Sequence, residues 1–283
     1  MKKSATSKTH GPRNGSVLAK LAAAPHVVWS ILFIIAPLMF VVYFAFTNPR
    51  GEGTFYNIQS LTAYGKTFLL SVMFSLIATV VCLIIGYPLA YFLSRLSPRR
   101  QKVMVLLLML PMWISLLIRT YSLMALLDNG GIISSFLVKL GFEKLTFIGT
   151  GGAVILGMVY DYLPFMIYPI YNTLLKMDPS YAEAAEDLGA KPASVFWKVT
   201  VPLSMPGVMS GILMVFMPTV STFAISEFLT NNKIKLFGTI IQENINSSMW
   251  NYGAALSLIM LIIIGLTTLF SDSEKTGTEG GMI

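Results

Sequence analysis

Long apolar runs alternate with short polar interruptions along this chain, and six of the runs read as membrane spans. They cover residues 27–46, 67–93, 103–127, 147–175, 207–229 and 253–271. Each meets or approaches the ~20 residues that a helix needs to cross a hydrocarbon core. The second and fourth are long and contain Gly86, Pro88, Gly157, Pro164 and Pro169. Proline removes an internal hydrogen bond that neighbours must replace, so kinks or tilts are expected there. The interruption at 176–206 has a pattern of its own. Asp178 suits a helix N-cap and Pro179 the first helical position. Tyr181, Ala184, Ala185 and Leu188 recur at i, i+3, i+4 and i+7, and Gly189 suits the residue that ends a helix. Pro192, Val195, Phe196 and Val199 repeat the spacing, with Pro202 and Pro206 expected to stop the second helix. The pattern predicts two short amphipathic helices over 179–199, bent at Gly189.

Composition supports a membrane reading of the runs. Hydrophobic residues make up 55% of the chain and charged residues 12%, about half the charged share of a soluble domain. The predicted fold class is an all-α integral membrane protein with six transmembrane helices. The net charge of +7 follows from a lopsided distribution of Lys and Arg. Thirteen lie in the N-terminal tail, the second-to-third and fourth-to-fifth connections and the C-terminal tail. Six lie in the remaining connections, and Arg119 lies inside a span. The richer side is expected to be cytoplasmic, with both termini there. Nucleic acid is not needed to explain the basic balance. Residues 1–26 read as a basic cytoplasmic tail, 27–271 as the permeation domain with its core at 67–271, and 272–283 as a second cytoplasmic tail. No cleaved signal peptide is expected, because the first apolar run is of full span length.

Catalytic chemistry is sparse. The lone Cys82 lies in an apolar run, where it reads as a small buried side chain and precludes an internal disulfide. His10 and His26 have no metal-like neighbours, so no metal site is expected. Gly65-Lys66-Thr67 is the nearest approach to a phosphate loop, but the Walker pattern needs glycine at position 60, which is serine. The chain is therefore not expected to be an enzyme. Uphill transport would draw on an ion gradient or on a partner.

Three ionisable side chains fall inside expected spans, namely Arg119, Asp161 and Glu227. Charges at such depth face a bundle interior or water. Asp161 and Glu227, with Tyr160 and Phe223 among the nearby aromatics, are candidates for the pathway of an organic polycation, to which aromatic faces add cation–π attraction. Packing or interfacial anchoring explains the same aromatics. Arg119 is a candidate structural or gating ion-pair partner, with either Asp161 or Glu227. In the 176–206 segment, Glu183 and Asp187 are like charges at i, i+4, which disfavours an isolated helix. Small Ala182, Ala184 and Ala185 permit close approach by another surface. A docking segment and a solvated loop lying on the bilayer both fit these features.

Glu183-Ala184-Ala185, three residues, Gly189, nine residues, then Val199-x-Val201-Pro202 resembles the EAA signature of ABC importer permeases. Val199 and Val201 stand where that pattern has Ile and Leu. Pro111-x-Trp113, Leu117-Ile118-Arg119-x-Tyr121, Leu163-Pro164-Phe165, residues 183–190 and Pro202-Leu-x-Met-Pro-Gly207 are similar to the B-type permeases of spermidine/putrescine importers. The resemblance implies a type I importer fold in a bacterial inner membrane, with Glu183, Ala184, Ala185, Gly189 and Pro202 in cytoplasmic coupling helices that contact an ATPase. It also implies a second, different permease, two ATPase copies that bind ATP and Mg, an extracytoplasmic binding protein and a lipid environment, with no cofactor in this chain. Permeases for ferric iron, sulfate, molybdate and phosphonate share the signature, so the cargo stays open at this point. A gradient-driven transporter would leave the 183–202 segment without a task. An intramembrane enzyme would lack a partner for Asp161.

Overall fold

The computed structural model describes residues 25–128, 130–139 and 147–279. Among them the chain is all helical, apart from one isolated bridge between Thr47 and Gly53. α1 spans Pro25–Ala45. Two short turns over 56–64 lead into α2, Gly65–Ser94. α3, Pro98–Met109, tightens into a 3₁₀ turn over Leu110–Trp113 and is followed by α4, Leu116–Leu127. α5 is Ile132–Lys139 and α6 is Gly151–Lys176. Then come α7, Ser180–Asp187, and α8, Pro192–Ser221. α9 is Ala224–Thr230, α10 is Phe237–Asn246 and α11 is Trp250–Glu279.

Among the described residues, four helices are long and apolar enough to cross a membrane: α1, the 56–94 helix that contains α2, α6 and α8. α3 and α4 together make a fifth if their bent pair is one span, and α11 holds a shorter apolar stretch, Trp250–Leu266. The prolines inside α2, α6 and α8 do not interrupt them. α11 runs past residue 271, the expected end of the last span, to Glu279.

Two of the six expected spans are not single helices. The run at 103–127 is broken between α3 and α4 by a 94° bend. Ile114 and Ser115 have extended backbone there, with ψ of 140° and 135°. Both residues are compatible with a span by hydropathy, so the apolar run conceals the corner. The run at 207–229 is cut at Thr222, whose ψ of 141° ends α8 before α9 begins. Gly238 of α10 approaches the Ser221 and Thr222 carbonyls so closely that a Cβ would collide with them.

The third departure concerns the second coupling helix, expected to stop at Pro202 and Pro206. Instead it is the first turn of α8 and runs unbroken into the bundle. A π stretch at Phe196–Thr200 lies in that turn, with the Val201 amide donating to the Phe196 carbonyl. A proline in a regular α-helix crowds the carbonyl four residues earlier and leaves it without a donor. The wider π turn lies immediately before Pro202, where that conflict would arise.

The core is a three-helix contact between α2, α6 and α8. Ala78 and Cys82 of α2, Val154, Met158, Met166, Ile167 and Ile170 of α6, and Val215 of α8 are fully buried in it. Gly207 and Gly211 of α8 set its spacing, lying against Pro169, Thr173 and Met166 of α6. Small residues four apart let helix backbones approach closely in membranes. A smaller cluster of Val220, Phe237, Ile240, Leu256 and Met260 joins α10 and α11 to the end of α8.

α1 packs on α11 and shows most of its apolar surface. Its last carbonyls are claimed by two asparagines. Asn57 Nδ2 donates to the Ala45 and Thr47 carbonyls at 3.2 and 2.8 Å. Asn251 Nδ2 donates to the Phe44 and Thr47 carbonyls at 3.2 and 2.7 Å. Helix ends leave four carbonyls without intrahelical donors, and these side chains fasten that end of α1 to the start of α11.

Candidate functional site

α7 forms as its sequence dictates. The Asp178 carboxylate accepts the Ser180 amide at 2.9 Å, which satisfies one of the first orphan donors of the helix. That amide holds the Asp178 carboxyl below the usual carboxylate range. At the other end Gly189 has φ of +81°. Ala190 N–H reaches the Ala185 carbonyl at 3.0 Å and Gly189 N–H the Glu186 carbonyl at 2.8 Å. Those paired bonds are a Schellman stop, and its left-handed residue favours glycine. The expected cap at Asp178 and stop at Gly189 are both present.

The apolar stripe of α7 is not buried against its own chain. Leu188 is 89% exposed and Tyr181 57% exposed, and Ala184 is exposed as well. Ala182 and Ala185 are half-buried. Glu183 and Glu186, exposed as well, line a cleft of about 350 Å³ with Tyr91 and Ser94 of α2, Arg95 just after it and Thr200 of α8. The Arg95 guanidinium lies 5.1 Å over the Tyr91 ring. Across α8 the stripe faces inward. Val195 is buried, and Phe196 meets Tyr91 and Tyr87 edge-on at 5.1 and 5.9 Å. Tyr87 Oη and Ser204 Oγ are hydrogen-bonded at 2.8 Å. α7 is thus presented outward, while the first turn of α8 is bolted to α2. That turn belongs to α8, which continues into the bundle, and residues 188–191 separate it from α7. Pro202 lies in α8 just after the π stretch.

Among the three intramembrane ionisable residues, the structure pairs Arg119 with Asp161. Arg119 of α4 is 7% exposed and Asp161 of α6 is 0% exposed, with Nε to Oδ1 at 3.5 Å. Arg119 Nη1 donates to the Asp161 carbonyl at 3.4 Å. Thr120 Oγ1 donates to Asp161 Oδ2 at 2.9 Å. Glu227 lies apart on α9, half-buried, and forms no ion pair among the described residues. Tyr160 is 46% exposed. Phe223 occupies the break between α8 and α9, where its carbonyl accepts the Glu227 amide at 3.1 Å. In this conformation Asp161 is covered, so of the proposed pathway group only Tyr160, Phe223 and Glu227 retain surface.

Three features went unread in the sequence. The Gly207-x-x-x-Gly211 spacing was visible and specific. Thr120, beside Arg119, is the donor that keeps Asp161 Oδ2 satisfied, but nothing local announces a contact to another helix. The π stretch has only the Pro202 position as a signal.

Residues 83–273 match the family model of the binding-protein-dependent transport system inner membrane component. The chain is 34% identical to the spermidine/putrescine transport system permease protein PotB of Escherichia coli, over 86% of this chain and 92% of that one. It is also 34% identical to the PotB protein of Haemophilus influenzae, over 87% and 90%. Its fold superposes on a chain of a bacterial ABC transporter involved in the import of the acidic polysaccharide alginate. That match has a TM-score of 0.73 at 16% identity, covering 91% of this chain and 94% of that one. A second match, at TM-score 0.54 and 18% identity, is to an inward-facing MetNI methionine ABC transporter. The family model spans the C-terminal part of α2, all of α6 and α8 and the exposed segment between them, and the chain belongs to the family of binding-protein-dependent transport system inner membrane components.

Proposed function

We propose that the chain is one permease subunit of an ATP-driven importer whose cargo is spermidine or putrescine. The observation that carries the coupling part is the exposed, capped helix α7, whose stop glycine and small residues leave Tyr181, Ala184 and Leu188 to another surface. The 34% identity to PotB proteins over most of both chains supports the cargo. Glu183, Ala184, Ala185 and Gly189 belong to the contact with a cytoplasmic ATPase that binds ATP and Mg. Pro202 marks where that movement enters the bundle through α8. A second, different permease completes the pathway, and a cargo-loaded binding protein docks on the opposite face. The Lys- and Arg-rich end of the bundle, which carries α7, faces the cytoplasm.

The cycle proposed on this geometry runs in three steps. Closure of the ATPase dimer on ATP displaces α7. The displacement passes through the first turn of α8 to the α2–α6–α8 core, which opens outward to receive cargo. Hydrolysis returns it inward. The test is ATP hydrolysis by the reconstituted complex with loaded binding protein, across spermidine, putrescine and ferric ion. Stimulation by the polyamines alone is expected. Stimulation by ferric ion alone would reassign the cargo, and proton- or sodium-coupled uptake by this chain alone would refute the importer.

A further inference from the structure

The Arg119–Asp161 pair is an unusual object for a passive packing contact. Both side chains are nearly or fully buried. Yet Arg119 Nε and Asp161 Oδ1, the two atoms that face each other at 3.5 Å, have no hydrogen-bond partner among the described residues. Buried charges repay their desolvation only when geometry is good and the remaining donors and acceptors are satisfied. Here the satisfied atoms lie elsewhere, on the Asp161 backbone carbonyl and at Thr120. A buried polar atom without a partner calls for an explanation.

Its position supplies one. Arg119 lies in the first turn of α4, directly after the 94° corner at 114–115. Asp161 adjoins Tyr162, whose ring hydroxyl lies against the side chain of Thr222, the residue that breaks α8 from α9. α4 and α9 pack on each other and on α6, with Tyr121 and Phe228 edge-on at 6.2 Å. The pair therefore joins α6 to a unit of two short helices, each entered through a chain interruption. Such interruptions are where rigid elements hinge. When the unit swings, a weakly bonded ion pair separates as a discrete event, because each freed charge needs water or another partner.

We infer that Arg119 and Asp161 form a latch that closes in this conformation and opens once per transport cycle. Both are positioning residues. The inference rests on the importer reading above. The test uses the whole complex in proteoliposomes, with uptake and ATP hydrolysis measured in parallel. Arg119→Met with Asp161→Leu replaces the pair by apolar side chains. This variant is expected to assemble and melt like the native complex, while uptake per ATP falls ~fivefold or more, the lower end of typical coupling between sites. Arg119→Asp with Asp161→Arg restores opposite charges and is expected to recover more uptake per ATP than Asp161→Arg alone. A native ratio in the apolar variant would overturn the latch, since the pair would then be passive packing. Failure of every variant to assemble, Asp161→Asn included, would overturn it too, because the pair would then be needed to build the fold. A native complex whose ATP hydrolysis ignored loaded binding protein would remove the importer reading and the latch with it. The two earlier outcomes remove the latch alone.

Discussion

Single side chains fix this structure where backbones meet or where helix ends need partners. Gly207 is the clearest case. A Cβ there would lie 2.5 Å from Thr173 Oγ1 and 2.8 Å from the Pro169 carbonyl. Gly207→Val should force α8 off α6 and cost ~1–3 kcal/mol, as overpacking does. Gly65→Ala, with open space around its Cβ, should leave the melting temperature of the purified protein unchanged. Asn251→Ala removes the donor at 2.7 Å from the Thr47 carbonyl. The Thr47 carbonyl keeps its bond from Asn57 Nδ2, so the expected cost is that of lost net hydrogen bonding, ~0.5–1.5 kcal/mol, read as a lower melting temperature and faster proteolysis of α1. The glycine spacing was legible in the sequence. The asparagine was not, because its partners lie more than 200 residues away.

α7 is the element whose behaviour follows most directly from its own residues. Asp178 is ionised when it caps, and the Ser180 amide keeps its folded-state pKa below the unfolded value of about 3.9. A depressed carboxyl stabilises above the unfolded pKa and loses that contribution as pH falls through the folded one. The protection factors of residues 180–187 against hydrogen exchange should therefore be flat above about pH 5 and fall below about pH 4, with Asp178→Asn removing the step. Gly189→Ala meets no atom within 4 Å, so its cost is the left-handed backbone alone, ~1 kcal/mol. It should loosen the stop of α7 and reduce crosslinking from a cysteine placed at Ala185 to the ATPase, with little change in global melting. Failure of the Ala185→Cys protein to crosslink to any ATPase subunit would remove the coupling assignment. The cap, the stop and the stripe of α7 were all readable, since each depends on residues within one turn. The continuity of the next helix into α8 was not. Pro202 and Pro206 look like stops, yet the helix passes both, with a π turn just before Pro202.

At the scale of the molecule, the chain carries an exposed helix, α7, and a buried ion pair between the first turn of α4 and the middle of α6. Substituting Leu188→Ser, which removes an 89%-exposed apolar side chain from the outward stripe, should lower ATP hydrolysis by the complex without destabilising the isolated chain, measured by titrating ATPase onto the purified permease. Hydropathy alone established an all-helical membrane protein, because burying backbone in hydrocarbon leaves helices as the simplest single-chain solution and they need long apolar runs. The spacing at 183–202 singled out the segment proposed to couple to a partner. Hydropathy did not reveal that two apolar runs turn corners, since Ile114, Ser115 and Thr222 satisfy it in any backbone conformation. Nor did it choose between Asp161 and Glu227 as the partner of Arg119. That choice depends on how α4, α6 and α9 pack, and only the tertiary structure brings the Arg119 guanidinium to Asp161.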